Sequence, residues 1–228
     1  YLTIGPLFAA PRTATVAYEI AVAQYLPPEM RSMGLYVFAA VFFIITWWLA
    51  ISPSKLVARV GKFMTPVLLV FLFLLIISAI ASPMGSWQAP AAAYDTGVKA
   101  LGQGIVDGYN TMDGLAALVF GIIVVESVKM YGAVSEAEIT KDTLWSGLIS
   151  TFFMAIIYAA LCYIGASSVS LIGVQENGAP VLVKTALHYF GAAGGGILGV
   201  IVIFACLTTS VGLAASCAAY FNLLLPKI

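Results

Sequence analysis

Long, unbroken apolar runs dominate this chain, and they restrict its fold more than any other feature. A helix needs about 20 apolar residues to cross the roughly 30 Å hydrocarbon core of a bilayer. Six segments meet that requirement, at approximately residues 1–25, 34–51, 56–81, 103–131, 143–166 and 192–224. In lipid every backbone N–H and C=O must be paired within the protein, so only helices and closed barrels span. Barrel strands read as short alternating segments, whereas these runs are long and continuous. The expected fold is therefore an all-α integral membrane protein with about six transmembrane helices in a single transmembrane domain over residues 1–228. Composition agrees: 62% of residues are hydrophobic and 9% charged, with a mean hydropathy of +1.04. Soluble domains hold about 45–50% apolar and about 25% charged residues.

The same composition excludes several functions. Formal net charge is zero, with no basic block or acidic tail, so nucleic acid is not an expected partner. Cys162, Cys206 and Cys217 all sit in apolar runs. Cys206 and Cys217 share a helix face but lie roughly 16 Å apart along its axis, too far for a disulfide, and the three read as packing residues. His188 is the one histidine and has no neighbouring ligand types, which argues against a metal site there. No nucleophile–base pair, metal cluster or nucleotide loop is visible, so an enzyme is not expected, nor is a resident cofactor. The opening "YLTIGPLF" carries neither an initiator Met nor a signal peptide and reads as a piece of a longer protein.

Orientation follows from the positive charges. The loop "SPSKLVARVGK" holds Lys55, Arg59 and Lys62, and the loop between the fourth and fifth segments holds Lys129 and Lys141, which places both on the cytoplasmic side. The opposite side has only Arg31, Lys99 and Lys184. Its longer connections, "SPMGSWQAPAAAYDTGVKALGQG" and "SSVSLIGVQENGAPVLVKTALHYFG", show some amphipathic spacing and read either as lids over an outer vestibule or as plain connections.

Polar residues inside the apolar runs are the candidate functional groups, since an ionisable side chain there costs about 2.5–3.5 kcal/mol on insertion scales. In the first segment Arg12, Thr15 and Glu19 fall on one helical stripe, which must face protein or a water-filled cavity. Two readings fit: an internal Arg–carboxylate pair, or a place on a transport path. Pro6 and Pro11 each remove a backbone donor and predict a kink. The fourth segment, "DGYNTMDGLAALVFGIIVVES" at its centre, is too long for one span: from Gln103 to Tyr131 a continuous helix would run roughly 43 Å. Gly108, Asn110, Asp113, Gly114 and Gly121 are candidate breakpoints, because Asn and Asp cap helix starts and Gly relieves strain. A break at membrane depth requires a cavity or ligand for the freed backbone groups; the alternative is an ordinary N-cap at the outer interface. In the sixth segment Ala205, Thr208, Thr209, Gly212 and Ser216 share a face, which usually means close helix packing; hydroxyl and carbonyl oxygens are also what a hard monovalent cation coordinates.

Together "IGPLFAAPRTATVAYE", "SPSKLVARVGK", "GYNTMDGLAALVFGIIVV" and "ACLTTSVGL" resemble the branched-chain amino acid:cation symporter family, the system II carriers of bacteria. The resemblance covers essentially the whole chain in order. It implies a LeuT-type fold of two inverted five-helix repeats within about twelve helices, of which this chain would be helices three to eight, the first two and last four lying outside it. Segment four would then be a discontinuous helix whose open ends face the substrate, with Asn110, Thr111, Asp113, Gly114, Phe120 and Gly121 near it and Leu118 and Val119 lining a dry pocket for the aliphatic side chain. Arg12 and Thr15 join that substrate set. Ala205, Thr208 and Thr209, at i, i+3 and i+4, match a sodium site. The implied function is sodium-coupled import of leucine, isoleucine and valine by alternating access, in the bacterial cytoplasmic membrane and in contact with lipid. If protons drove the carrier instead, Asp113 or Glu19 would be the carboxylate to carry them. Carriage of another small solute by the same fold, and a structural membrane subunit, are the alternatives.

Overall fold

A computed structural model describes residues 5, 7–51, 55–175 and 177–224. Among these residues every regular element is helical, as the apolar runs require. The helices are α1 (Ala9–Ala21), α2 (Pro28–Ile51), α3 (Lys55–Ala81), α4 (Gly97–Asn110), α5 (Asp113–Met130), α6 (Glu136–Ile172) and α7 (Gly178–Leu224), with 3-10 turns at Ala23–Tyr25 and Ala92–Tyr94. Among the described residues four stretches can cross a membrane by length and apolarity: Pro28–Ile51, Gly97–Met130, Glu136–Ile172 and Gly178–Asn222. Thr65–Ala81 is an apolar stretch within α3, a helix of 27 residues, and α1, with 13 residues, extends only about 20 Å at 1.5 Å per residue.

The chain forms two compact units, one of residues 1–86 with 160–228 and one of residues 87–159. In the first, α1 lies at the centre. Its buried residues Ala14, Ala17, Tyr18 and Ile20 serve two clusters. One joins Ala14 and Ala17 to Phe42 of α2 and Leu207 of α7. The other joins Ile20 to Leu75, Ile76 and Ala79 of α3, Ile164 of α6, and Val183, Ala186 and Leu198 of α7. Small residues permit this: a Cβ on Gly199 would stand 3.0 Å from the Cα of Ala21, so α1 and α7 meet backbone to backbone. The Tyr18 hydroxyl donates to the Arg31 carbonyl at 2.7 Å and ties α1 to the start of α2. The Tyr189 hydroxyl donates to Ser82 O at 2.5 Å and ties α7 to the end of α3.

Several boundaries differ from the sequence reading for identifiable reasons. Pro11 is the third residue of α1, a first-turn position whose N–H has no helical partner, so it does not kink the helix; Pro6 lies outside the described residues. The sixth apolar segment, read from residue 192, is the second part of α7, and a further helical stretch precedes it from Gly178. The two parts meet at Gly191, whose φ of 62° and ψ of −158° form a corner open essentially to glycine alone. Helix α6 runs on to Ile172 through "SSVS", because Ser167 and Ser168 donate to Ile164 O at 3.2 Å and Gly165 O at 2.9 Å. Back-bonded in this way, both serines are buried.

In the second unit the polar face of α4 satisfies itself. Lys99 Nζ lies 3.0 Å from Asp95, Gln103 donates to Asp107 Oδ1 at 2.9 Å, and the Tyr94 hydroxyl donates to Asp107 Oδ2. The opposite face exposes Val98, Leu101, Ile105 and Tyr109. The start of α6 is a capping box: Ser135 Oγ accepts the Glu138 N–H at 3.2 Å, and Glu138 Oε2 accepts the Ser135 N–H at 3.2 Å.

Candidate functional site

The fourth apolar segment is interrupted at Thr111 and Met112, between α4 and α5. The chain is helical through Gly108 and again through Gly114 and Gly121, so these glycines are not breakpoints; a Cβ on any of them would meet nothing within 4 Å. The residue that turns the chain is Met112, with φ 64° and ψ 16°. It is the one non-glycine residue at positive φ among those described, and this left-handed region costs an L-residue roughly 1–2 kcal/mol. Helix α4 closes with the N–H groups of Thr111 and Met112 donating to Gly108 O (3.3 Å) and Tyr109 O (3.0 Å). Met112 gives α5 no side-chain cap, so the first-turn N–H groups have no helical partner and their partial positive charge faces the break.

Asp113, the first residue of α5, is the hub of that break. Its Oδ2 accepts hydrogen bonds from the Thr111 hydroxyl at 2.7 Å and from the Tyr158 hydroxyl of α6 at 2.6 Å. Thr111 Oγ1 also lies 2.7 Å from Gly108 O. Asn110, exposed, ends α4. Further along α5 Val119 is buried, Phe120 is half-buried and Leu118 is 72% exposed, so these three neighbours do not share one environment. Tyr158 was invisible to sequence reasoning: it sits in a plain apolar run, and its bond to Asp113 spans 45 residues.

The first unit holds the other candidates. Arg12, Thr15 and Glu19 line one cleft of about 380 Å³ with Val16, Ile20, Asn177, Gly178, Ala179 and Leu182. The stripe thus borders an open cleft. Arg12 and Glu19 are both exposed, and among the described residues the ion pair is Lys99–Asp95, so no carboxylate among them is paired with Arg12. Asn177 Oδ1 accepts the Ala179 N–H at 3.0 Å and caps the start of α7 across the cleft. Elsewhere on α7, the hydroxyls of Thr208 and Thr209 both donate to Ala205 O at 2.9 Å. Three oxygens gather on one helical turn, with Thr208 half-buried and Thr209 exposed. Such back-bonding is also ordinary for Thr within a helix. Three oxygens would fill part of a cation's shell. Ser216, on the same stripe, is fully buried and donates to Gly212 O at 2.9 Å, which is packing. The described residues hold no cluster of three or more His, Cys, Asp or Glu able to bind a metal.

Sequence comparison adds the family. The chain is 42% identical over 228 residues to the branched-chain amino acid permease BrnQ of Bacillus subtilis (strain 168), covering 100% of this chain and 51% of that protein. It is 37% identical over 226 residues to branched-chain amino acid permease BrnQ of Escherichia coli (strain K12), covering 99% and 51%. The branched-chain amino acid transport system 2 carrier protein of Pseudomonas aeruginosa is 38% identical over 226 residues, again covering 99% and 51%. The chain thus spans about half the length of the curated relatives it matches. No solved structure matches it. Permease relatives and several helices able to cross a bilayer make it a multi-pass membrane protein. Residues 1–228 match the family described as branched-chain amino acid transport protein, and the chain belongs to that family.

Proposed function

We propose that this chain is part of a secondary active transporter that imports leucine, isoleucine and valine with sodium, by alternating access, across a bacterial cytoplasmic membrane. The observation that carries the reading is the helix interruption at Thr111 and Met112 inside the apolar stretch Gly97–Met130. Backbone groups freed at lipid depth persist only where they line a cavity or meet a ligand, and discontinuous helices hold the substrate in many secondary carriers. The relatives' names, branched-chain amino acid permeases, support the substrate class.

At the break, the first-turn N–H groups of α5 suit the substrate carboxylate, and the oxygen of Asp113 that faces away from Thr111 and Tyr158 suits its ammonium. Gly114 and Gly121 let backbone come close, Asn110 offers an amide, and Phe120 offers apolar surface. A single methylene is worth only about 1–3 kcal/mol in such a pocket, so discrimination among the three substrates is weak. The cleft at Arg12, Thr15 and Glu19 has the volume for an aliphatic amino acid and offers opposite charges, and we assign it a place on the substrate's route. Ala205, Thr208 and Thr209 supply oxygens to sodium, with the remaining ligands coming from elsewhere in the intact protein. Coupling arises if sodium and substrate favour the same conformation, each raising the affinity for the other. A LeuT-type arrangement, with this chain as helices three to eight, is the fold this reading adopts.

The test is leucine uptake by the intact protein in proteoliposomes under imposed gradients. Uptake should follow the sodium gradient. Absence of leucine, isoleucine and valine uptake removes the carrier reading, and uptake driven by a pH gradient without sodium removes the ion assignment. Thr208→Ala with Thr209→Ala should raise the half-saturating sodium concentration about tenfold, as expected for losing about 1.4 kcal/mol of ion binding, with the amount of inserted protein unchanged.

A further inference from the structure

We infer that Tyr158 is a positioning residue for the break, holding the Asp113 carboxylate away from the N–H groups that receive a substrate's carboxylate; this rests on the break being the substrate site. Asp113 is the first residue of α5. A carboxylate there is drawn to the unpaired first-turn N–H groups by hydrogen bonding and by the helix dipole. Left to itself it would occupy the donors that an amino acid needs. Two hydroxyls oppose this. Thr111 Oγ1 lies 2.7 Å from Asp113 Oδ2 but also 2.7 Å from Gly108 O, and one proton must serve both acceptors. Tyr158 OH, 2.6 Å from the same Oδ2, is the second donor and comes from another helix. Among the described residues no hydrogen bond reaches Asp113 Oδ1, so the carboxylate is tethered at one oxygen and open at the other. The left-handed backbone at Met112 lies between Thr111 and Asp113, which hydrogen-bond across it, so the tether and the turn belong to one structure.

The experiment compares the intact protein with Tyr158→Phe, Asp113→Ala and the double variant, reading leucine KM, maximal uptake and amide exchange at residues 113–115. Tyr158→Phe should raise KM about tenfold, the loss expected for a hydrogen bond to a charged group, with maximal uptake and inserted protein within about twofold of wild type. It should also slow exchange of those amides as Asp113 turns onto them. In the Asp113→Ala background the Tyr158→Phe change should alter neither KM nor exchange. Wild-type KM and exchange in Tyr158→Phe would overturn the inference, as would equal effects in both backgrounds. If the wild type moves no leucine, the carrier reading fails, and the tether is still judged from the exchange data.

Discussion

Helix α1 buries four of its 13 residues, whereas α5 buries one of its 18, although both come from apolar sequence. The difference between their two units lies in how each helix is packed within this chain, which spans about half the length of its relatives. Apolar side chains gain little by leaving hydrocarbon tails for a protein interior, so close backbone approach and van der Waals fit decide. Helix α1 supplies Ala14 and Ala17 to Phe42 and Leu207, and Ala21 to Gly199. Helices α4 and α5 carry glycines too, but Gly102, Gly104, Gly108, Gly114 and Gly121 all face open space. Their tie to α6 is a polar one, Asp113 with Tyr158.

The sharpest way to break this contrast is a matched pair of glycine substitutions in the intact protein. Gly199→Leu should cost about 3 kcal/mol by overpacking and sharply reduce the folded fraction after detergent extraction. Gly102→Leu should stay within about 0.5 kcal/mol. If Gly102→Leu were as damaging, the second unit's open face would be a packing surface in the intact protein. A smaller effect separates truncations: Ile164→Ala should lower stability by about 2 kcal/mol, the low end for large-to-small changes because lipid offsets part of the transfer term. Phe152→Ala, 64% exposed, should leave the thermal midpoint nearly unchanged. Of the changes expected to move stability at all, Met112→Gly should be the smallest and a gain, since it removes left-handed strain of about 1 kcal/mol. A loss of stability there would mean that the methionine side chain contributes more than its backbone strain takes away.

Much of this architecture was legible in the sequence, for physical reasons that also mark where legibility stopped. Continuous apolar runs admit only helices in a bilayer, and a run as long as residues 103–131 beside Asn, Asp and Gly announces an interruption. The residue that bears it was not legible, because Met112 adopts a conformation ordinarily left to glycine. The stripe of Arg12, Thr15 and Glu19 could be read from helical spacing, yet its facing wall of Asn177 to Leu182 is set by long-range packing. "SSVS" reads as loop chemistry until the hydroxyls bond back into their own helix. Tyr158 carries no local signal at all. Its role depends on a partner 45 residues away.

The approach of Gly199 to Ala21 also bears on biosynthesis. Helix α1 leaves the ribosome well before α7, yet α7 is the surface against which it packs along most of its buried face. A short segment carrying Arg12 and Glu19 therefore has to be held by the insertion machinery, or by earlier-made helices, until translation reaches the second part of α7. Completion of the α1–α7 packing in the first unit therefore follows synthesis of α7, and the order of synthesis runs opposite to the hierarchy of contacts.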